Sequence, residues 1–331
     1  MKASLRNRAG AIIKKISTLG IRVKVLFPGK IDGKETLKDD YDLFLIIGDD
    51  KTVLRAFHEL SLFEVPFLGI NYTNNIGFLT EISFNDLDWA MDRLLSDDYT
   101  VEECNTLTSL IDYEIEAFAI NDICIFPSKS ATIMKYDLWV DGEYIWCDMA
   151  DGIIIATPIG STAYSMSAGG PMLLTKVRAL VVTPVNSIDL TRRSLIIPSE
   201  SKVEINELEC SRDIEAIADG IERYKVRETI ILSGNGRKLK LIRLKRSSHA
   251  YDRLYKKVEL AKALIEMPPS AKLVLKVLEY EGPMTQKDIV QRTLLPPRTV
   301  RYALSLLLRK GLVMKTPNLR DARQSMYYAR I

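Results

Sequence analysis

Apolar residues in this chain recur first at helical spacing and then in alternation. Ala11, Ile12, Ile16 and Leu19 share one face of an amphipathic helix over residues 5–19, with Arg6, Lys14 and Lys15 elsewhere and Gly20 closing it. A strand over residues 22–27 and a polar, loop-like stretch over 29–40 follow. Residues 43–47 are an unbroken apolar run, the pattern of a parallel strand buried on both faces. That run enters Gly48-Asp49-Asp50-Lys51-Thr52, after which the pattern predicts a helix over 52–60 and a strand over 65–70. Strand, turn, helix and strand in this order imply a parallel α/β sheet with a ligand crevice at the strand ends.

From residue 100 to about 245 the chain changes to short alternating strands, at 107–116, 123–126, 133–140, 144–147, 153–157, 179–183, 214–218, 229–233 and 239–244, with Asp141-Gly142 as a hairpin signal. The expected organisation is an α/β nucleotide-binding domain over 1–99, completed by about 246–266, and a β-rich domain over 100–245. Residues 249–266 read as a charged helix, either packed back on the first domain or serving as a connector, and Pro268-Pro269 punctuates the chain. The last segment, 267–331, reads as helix, turn, helix, helix and basic hairpin. A helix over 270–281 buries Leu273, Val274, Val277 and Leu278. Thr285 caps a short helix, and a second helix over 298–310 turns Val300, Ala303, Leu304, Leu307 and Leu308 inward before Gly311. This resembles the winged helix-turn-helix of transcription regulators. The resemblance implies that Arg298, Thr299, Arg301 and Tyr302 face bases and phosphates of duplex DNA, with Lys315, Arg320 and Arg323 of the wing on the backbone.

Charge sharpens that division. The net charge of +3 is the sum of +8 over residues 268–331 and −5 over the rest, so only the C-terminal piece has a nucleic-acid binder's balance. No apolar run is long enough to cross a bilayer, which makes the cytoplasm the default address. Cys104, Cys124, Cys147 and Cys210 lack metal-ligand spacing, and His58 and His249 are too few and scattered for a histidine cluster, so no metal site is expected.

The richest chemistry lies in Asp151-Gly152-Ile153-Ile154-Ile155-Ala156-Thr157-Pro158-Ile159-Gly160-Ser161-Thr162-Ala163-Tyr164-Ser165-Met166-Ser167-Ala168-Gly169-Gly170-Pro171. A β-branched run ends in a Thr-Pro turn and then in small hydroxyl residues and paired glycines. Such a backbone can approach a phosphate or ribose, although its hydroxyls can also serve local turns. The block resembles the D-G-x-x-x-x-T-P-x-G-S-T-A-Y-x-x-S-x-G-G-P signature of NAD kinases. That resemblance implies dinucleotide contacts from Asp151, Thr162, Ala163, Tyr164 and Ser167. Asn121-Asp122 stands where the family has N-E on the adenosine ribose. Residues 69–81 are similar to the family's G-I-N-x-G-x-L-G-F-L-T and keep Asn71 and Phe78, and Asp219-Gly220 resembles a later D-G pair. Asp50 falls on the family's catalytic carboxylate, the candidate base that takes the proton from the attacking ribose hydroxyl.

The turn around Asp50 departs from the family's G-G-D-G-T, because Asp49 and Lys51 replace glycines. A carboxylate beside a triphosphate is unfavourable, and neither residue accepts a positive φ as glycine does, whereas Asp49 and Asp50 could simply cap the following helix. Positions for the dinucleotide survive and positions for ATP phosphates are altered. The resulting expectation is an NAD kinase-like body binding NAD(H) or NADP(H), acting as a ligand-responsive DNA-binding regulator with weak or absent transfer, as a homodimer or tetramer. The alternative is an active kinase using ATP and Mg²⁺ with an appended regulatory domain.

Overall fold

A computed structural model describes residues 10, 12–14, 16–18, 20–25, 41–60, 64–71, 77–244, 267–281, 283–317 and 325–329. The chain divides into a larger compact unit within residues 1–250 and a smaller one holding residues 251–331.

In the larger unit the apolar run becomes strand β1 (Phe44–Ile47), followed by helix α1 (Asp50–Leu60) and strand β2 (Phe67–Asn71). β1 and β2 pair in parallel, Phe44 opposite Phe67 and Ile47 opposite Ile70. Helix α1 lays Val53, Leu54, Ala56, Phe57 and Leu60 against this sheet. The expected helix near the N-terminus is helical at each described position from Gly10 to Thr18, with Ile12 and Ile16 buried; Ala11, Lys15 and Leu19 lie outside the described residues. The strand expected over 22–27 does not form at residues 21–25. Ile21, Val23 and Val25 alternate as a strand would, but all three are exposed and no strand among the described residues pairs with them.

The first sheet recruits two strands from the alternating region. β4 (Thr100–Cys104) and β17 (Leu239–Arg243) complete the order β1-β2-β17-β4, with β3 (Thr80–Ser83) beside β2. Residues 239–244 therefore belong to the α/β sheet and not to the β-rich body, because alternation marks a strand without saying which sheet it joins. Helix α2 (Leu87–Leu95) precedes β4, and between β4 and β17 lie the one-turn helix α3 (Tyr164–Ser167) and two six-stranded sheets, in the orders β12 (Leu195–Pro198), β11 (Ala179–Val185), β10 (Gly152–Ala156), β7 (Asp122–Pro127), β14 (Ile214–Ala218), β15 (Glu222–Val226) and β6 (Ile115–Ala119), β5 (Leu107–Ile111), β16 (Ile230–Ser233), β13 (Val203–Cys210), β8 (Met134–Val140), β9 (Glu143–Ala150). Their inner faces share one core, in which Ile125, Ile153, Ile155, Leu180 and Val182 meet Leu107, Tyr136, Leu138, Val203 and Ile205. Asp141 and Gly142 make the expected two-residue hairpin turn, both at positive φ. The single strand expected over 107–116 is instead a hairpin, β5 (Leu107–Ile111) and β6 (Ile115–Ala119), turning at Asp112 and Tyr113, both left-handed. The Asp112 carboxylate holds this turn by accepting from the backbone N–H groups of Arg227, Glu228 and Thr229.

The smaller unit is the expected helix-turn-helix with a wing. Helices α4 (Pro269–Glu281), α5 (Gln286–Thr293) and α6 (Pro297–Arg309) enclose a core of Val274, Leu278, Ile289, Val300, Leu304 and Leu307. Thr285 and Asp288 form a reciprocal capping box at the start of α5. β18 (Met284–Thr285), β20 (Ser325–Ala329) and β19 (Val313–Pro317) form a small antiparallel sheet. The helix expected over 249–266 lies outside the described residues. No helix among those described is long and apolar enough to cross a membrane.

One buried ion network ties β3, β4 and β17 together. The Arg243 guanidinium meets Glu81 at 3.1 Å and Glu102 at 2.6 Å, while the Leu244 N–H donates to Glu81. Glu81 is almost wholly enclosed, so its charge depends on that cation. Arg243→Met is therefore expected to destabilise the fold by about 3–5 kcal/mol, measured by denaturant unfolding. An unchanged midpoint would show that the network contributes nothing.

Candidate functional site

The site residues fall into two groups. The first surrounds Asp50, the opening residue of α1. Its Oδ2 accepts from the Phe78 N–H at 2.7 Å, and its Oδ1 accepts from the N–H groups of Leu79 at 3.0 Å and Thr80 at 3.1 Å. The Thr80 hydroxyl adds a 3.4 Å contact and in turn takes a long hydrogen bond from the buried Asn71 amide. Asn71, Phe78 and Asp50 are thus brought together as the sequence implies. Gly77 is required here, because a Cβ on it would lie 2.0 Å from Asp50 Oδ1.

Asp49 does something different from Asp50. Its Oδ1 accepts from the Thr52 N–H at 2.9 Å and the Thr52 hydroxyl at 2.7 Å, as a helix cap does. Capping is therefore the role of Asp49 alone, while Asp50 turns to the 78–80 segment. Neither Asp49 nor Lys51 has positive φ, so the conformational objection raised against them does not apply to this backbone; the electrostatic objection remains. A helix N-terminus attracts anions through its free N–H groups, and here a carboxylate of the chain already occupies that end.

The second group lines a cavity of about 410 Å³ whose walls include Asn121, Asp122, Ala163, Tyr164, Asp219 and Arg223. The Tyr164 ring stacks on Phe126 with centroids 5.9 Å apart and planes 20° apart. Phe126, Cys124, Ile217 and Arg223 are lining residues that sequence reading did not single out. For Arg223 the only signal was its position four residues after Asp219.

Asp219 organises the floor of this cavity. Its carboxylate accepts from the N–H groups of Ile120 at 2.8 Å, Asn121 at 2.7 Å and Asp122 at 3.3 Å, and it meets His58 Nε2 at 2.9 Å. Asp219 is itself left-handed, with φ +52, and Gly220 follows at φ +65. His58, set aside as a metal ligand, instead lies stacked on Phe118 and links the end of α1 to Asp219.

The hydroxyls of the signature loop mostly build the loop. Thr157 donates to the Ile120 carbonyl, Ser161 to that of Pro158 and Thr162 to that of Ile159, while Ser165 pairs with Thr183. Gly160 sits so close to the Asn121 carbonyl that a Cβ would lie 1.8 Å from it. Thr162, Ser167 and Asp151 do not line the cavity; Asp151 accepts from the Asn186 amide at 2.8 Å. On α6, Arg298, Arg301 and Tyr302 are exposed and Thr299 half-buried, as is required of a reading face; Lys315 is exposed on β19. Arg320 and Arg323 lie outside the described residues. Among the described residues no group of three or more His, Cys, Asp or Glu is arranged for a metal ion.

Two of these groups titrate abnormally. Burial, followed by the Asp219 charge, pushes Asp122 up to about 7 from its ordinary 3.8. Burial lowers His58, but the hydrogen bond and charge of Asp219, helped by Glu222, outweigh it and raise the group above 6.5. Both shifts mean that the fold holds more protons than the unfolded chain, Asp122 between about pH 4 and 7 and His58 just above 6.5. Stability is thus greatest on the acidic side and declines as pH rises through that window, by on the order of 4 kcal/mol for Asp122. The melting temperature should fall between pH 5 and pH 7.5, and Asp122→Asn should flatten that decline. A variant keeping the full slope would locate the protons elsewhere.

Residues 7–99 match the ATP-NAD kinase N-terminal domain, residues 120–244 the ATP-NAD kinase C-terminal domain, and residues 265–324 the MarR family. An NAD kinase of Methanopyrus kandleri is 35% identical over 224 residues, covering 67% of this chain and 80% of that protein. One from Marinobacter nauticus is 34% identical over 187 residues, 54% of this chain and 63% of its own length. Among solved structures, an NAD kinase from Archaeoglobus fulgidus in complex with ATP superposes with a TM-score of 0.65 at 23% identity, over 76% of this chain and 94% of that one, a likeness of fold. Yeast NADH kinase complexed with NADH gives 0.57 at 27% identity over 64% of each chain. The chain belongs to the NAD kinase family and carries a MarR-family segment after the kinase domains.

Proposed function

We propose that this protein is a dinucleotide-binding member of its family in which phosphoryl transfer is curtailed and the winged helix reads duplex DNA in response to the bound nucleotide. The observation that carries the reading is the state of the α1 N-terminus. Asp49 already caps it, and both oxygens of Asp50 are engaged by the 78–80 backbone. A base must offer a free lone pair to the attacking hydroxyl, and a carboxylate has about four lone-pair sites, most of them used here. The triphosphate would also meet the negative charge of Asp49 where the helix would otherwise attract it, and phosphoryl transfer depends on charge neutralisation and positioning.

The cavity under Tyr164 has the opposite character. An aromatic face, an amide and a buried carboxyl group in one concave space suit a nucleoside, with Tyr164 against the base and Asn121 and Asp122 toward ribose hydroxyls. NAD(H) and NADP(H) are the ligands that such a lining fits. In the smaller unit α6 has no acidic residue and exposes Arg298 and Arg301, which supports DNA as partner. A homodimer would place two such helices at a fixed spacing on a two-fold site.

The second reading is an active kinase using ATP and Mg²⁺ with a regulatory domain. It is favoured by the retention of Asp50 at the start of α1 beside Phe78 and by relatives named NAD kinase.

Two experiments test these readings. Incubation of the protein with NAD, ATP and Mg²⁺ should yield little NADP, and Asp49→Gly should raise the rate roughly tenfold or more, since one like charge beside a phosphate near a protein surface costs about 1–4 kcal/mol. Robust turnover by the unmodified chain, abolished in Asp50→Ala, would establish the second reading. In binding to duplex DNA, Arg298→Ala and Arg301→Ala should each weaken affinity severalfold and lower the slope of log affinity against log salt by about 1. Retention that ignores both salt and these substitutions would remove DNA as the partner.

A further inference from the structure

The cavity that is read above as a nucleoside site contains a charge pattern which that reading does not use. Among the described residues lining it, Asp122 and Asp219 are carboxyl groups and Arg223 is the sole cation. The Asp219 charge lies enclosed beneath this wall, so an anion entering the cavity is favoured only where a cation faces it, and Arg223 is the lining residue that can supply one.

Arg223 lies on β15 (Glu222–Val226), opposite Ile217 of β14 (Ile214–Ala218), and both side chains line the same cavity. Its guanidinium is 2.7 Å from Glu215, two residues along β14. That pair is solvent-facing, with the Arg223 side chain 62% exposed. Exposed ion pairs contribute only about 0–1 kcal/mol, so Arg223 is not committed to Glu215 and can turn to an anion at little cost. A guanidinium presents a planar fork of donors that matches phosphate oxygens two at a time. At about 410 Å³ the cavity falls within the roughly 300–1,000 Å³ typical of ligand sites and has room for a nucleoside with an attached phosphate.

We infer that Arg223 is a specificity-determining residue that selects a phosphorylated ribose, making the 2′-phosphorylated dinucleotides NADP and NADPH the preferred ligands over NAD and NADH. Asp122 is compatible with this. Burial and Asp219 keep its carboxyl group protonated below about pH 7, so it can donate to a phosphate oxygen. Elsewhere, an arginine near the ribose is a general device for accepting the 2′-phosphate. In a family that makes the 2′-phosphate, a chain with an obstructed transfer site and a cation at the ribose would report the product and not the substrate. The inference rests on the nucleoside reading of the cavity.

Calorimetric titration of the full chain with NADP, NAD, 2′-AMP and 5′-AMP separates the possibilities. The expected result is at least tenfold tighter binding of NADP than of NAD and of 2′-AMP than of 5′-AMP. Arg223→Gln should bring both ratios close to one while changing NAD affinity less than twofold. Glu215→Gln, which frees the guanidinium, should tighten NADP and leave NAD unchanged. A ratio near one in the unmodified chain, or an Arg223→Gln variant that weakens NAD and NADP equally, would overturn the role of Arg223 and leave the nucleoside reading intact. Absence of binding by all four nucleotides would overturn both.

Discussion

A single buried carboxylate sets the geometry of the cavity beneath Tyr164. Asp219 is fully enclosed, and its oxygens receive three successive backbone N–H groups from Ile120 to Asp122 as well as the His58 ring. An enclosed carboxylate without such donors would carry a desolvation cost of several kcal/mol, so the chain must keep all of them in place. The consequence is positional. Asn121 and Asp122 reach the cavity only because the backbone that carries them is clamped at their own amides, and the clamp is held from beneath by a residue of α1. The left-handed backbone at Asp219 and Gly220 is the local distortion that brings the carboxylate under that segment. Burial first, and then the same charge, push Asp122 up to about 7. The position of Asp122 and part of its shift therefore both trace to Asp219.

The other end of α1 follows the same economy of donors. Its first turn offers free N–H groups, and in a nucleotide-transferring protein those groups would be available for phosphate. Here the Asp49 side chain takes the Thr52 amide, and Asp50 turns away from its own helix to satisfy the amides of Phe78, Leu79 and Thr80. The two carboxylates are adjacent in sequence but make no common contact, and each satisfies donors that would otherwise require water or ligand. Under the proposed function, this stable helix start stands where transfer chemistry would need an unsatisfied one.

How much of this was legible in the sequence varies with the length over which the cause acts. The α/β opening, the hairpin at Asp141-Gly142, the Thr285 cap and the helices of the smaller unit follow from local spacing, and each is present. The hairpin at Asp112-Tyr113 was not legible, because neither residue signals a left-handed turn and its support comes from amides 115 to 117 residues away. The placing of residues 239–244 in the β-rich domain failed for a similar reason, since alternation is blind to partner, and β4 over residues 100–104 was not read as a strand. Within the site, the motif brought Asn121, Asp122, Ala163 and Tyr164 to one wall. Thr162, Ser167 and Asp151, to which the resemblance gives dinucleotide contacts, are not among the residues lining that cavity; Thr162 donates to the Ile159 carbonyl of its own loop and Asp151 accepts from Asn186. Arg223, Phe126 and His58 belong to no motif; they sit on β15, β7 and α1, which are far apart in the chain and come together only in the fold.

Binding and transfer place unequal demands on such a scaffold. Holding a nucleoside requires a stacked ring, a hydrogen-bonding wall and a space of the right size, and small displacements weaken these gradually. Transfer requires a free base, a neutralised triphosphate and alignment within a fraction of an ångström, and one misplaced charge removes orders of magnitude. A chain that loses the second property can keep the first, and its retained affinity is then a free-energy source for something else. A ligand moves an equilibrium only by the difference in its affinity for two states, and a hundredfold difference supplies about 2.7 kcal/mol. DNA affinity held largely by a few exposed arginines and a basic surface is in the range that such a sum can alter. Under the proposed function, the acidic balance of residues 1–267 and the basic balance of residues 268–331 place nucleotide and nucleic acid on different parts of the chain. Separate surfaces are what a coupling between two ligands requires.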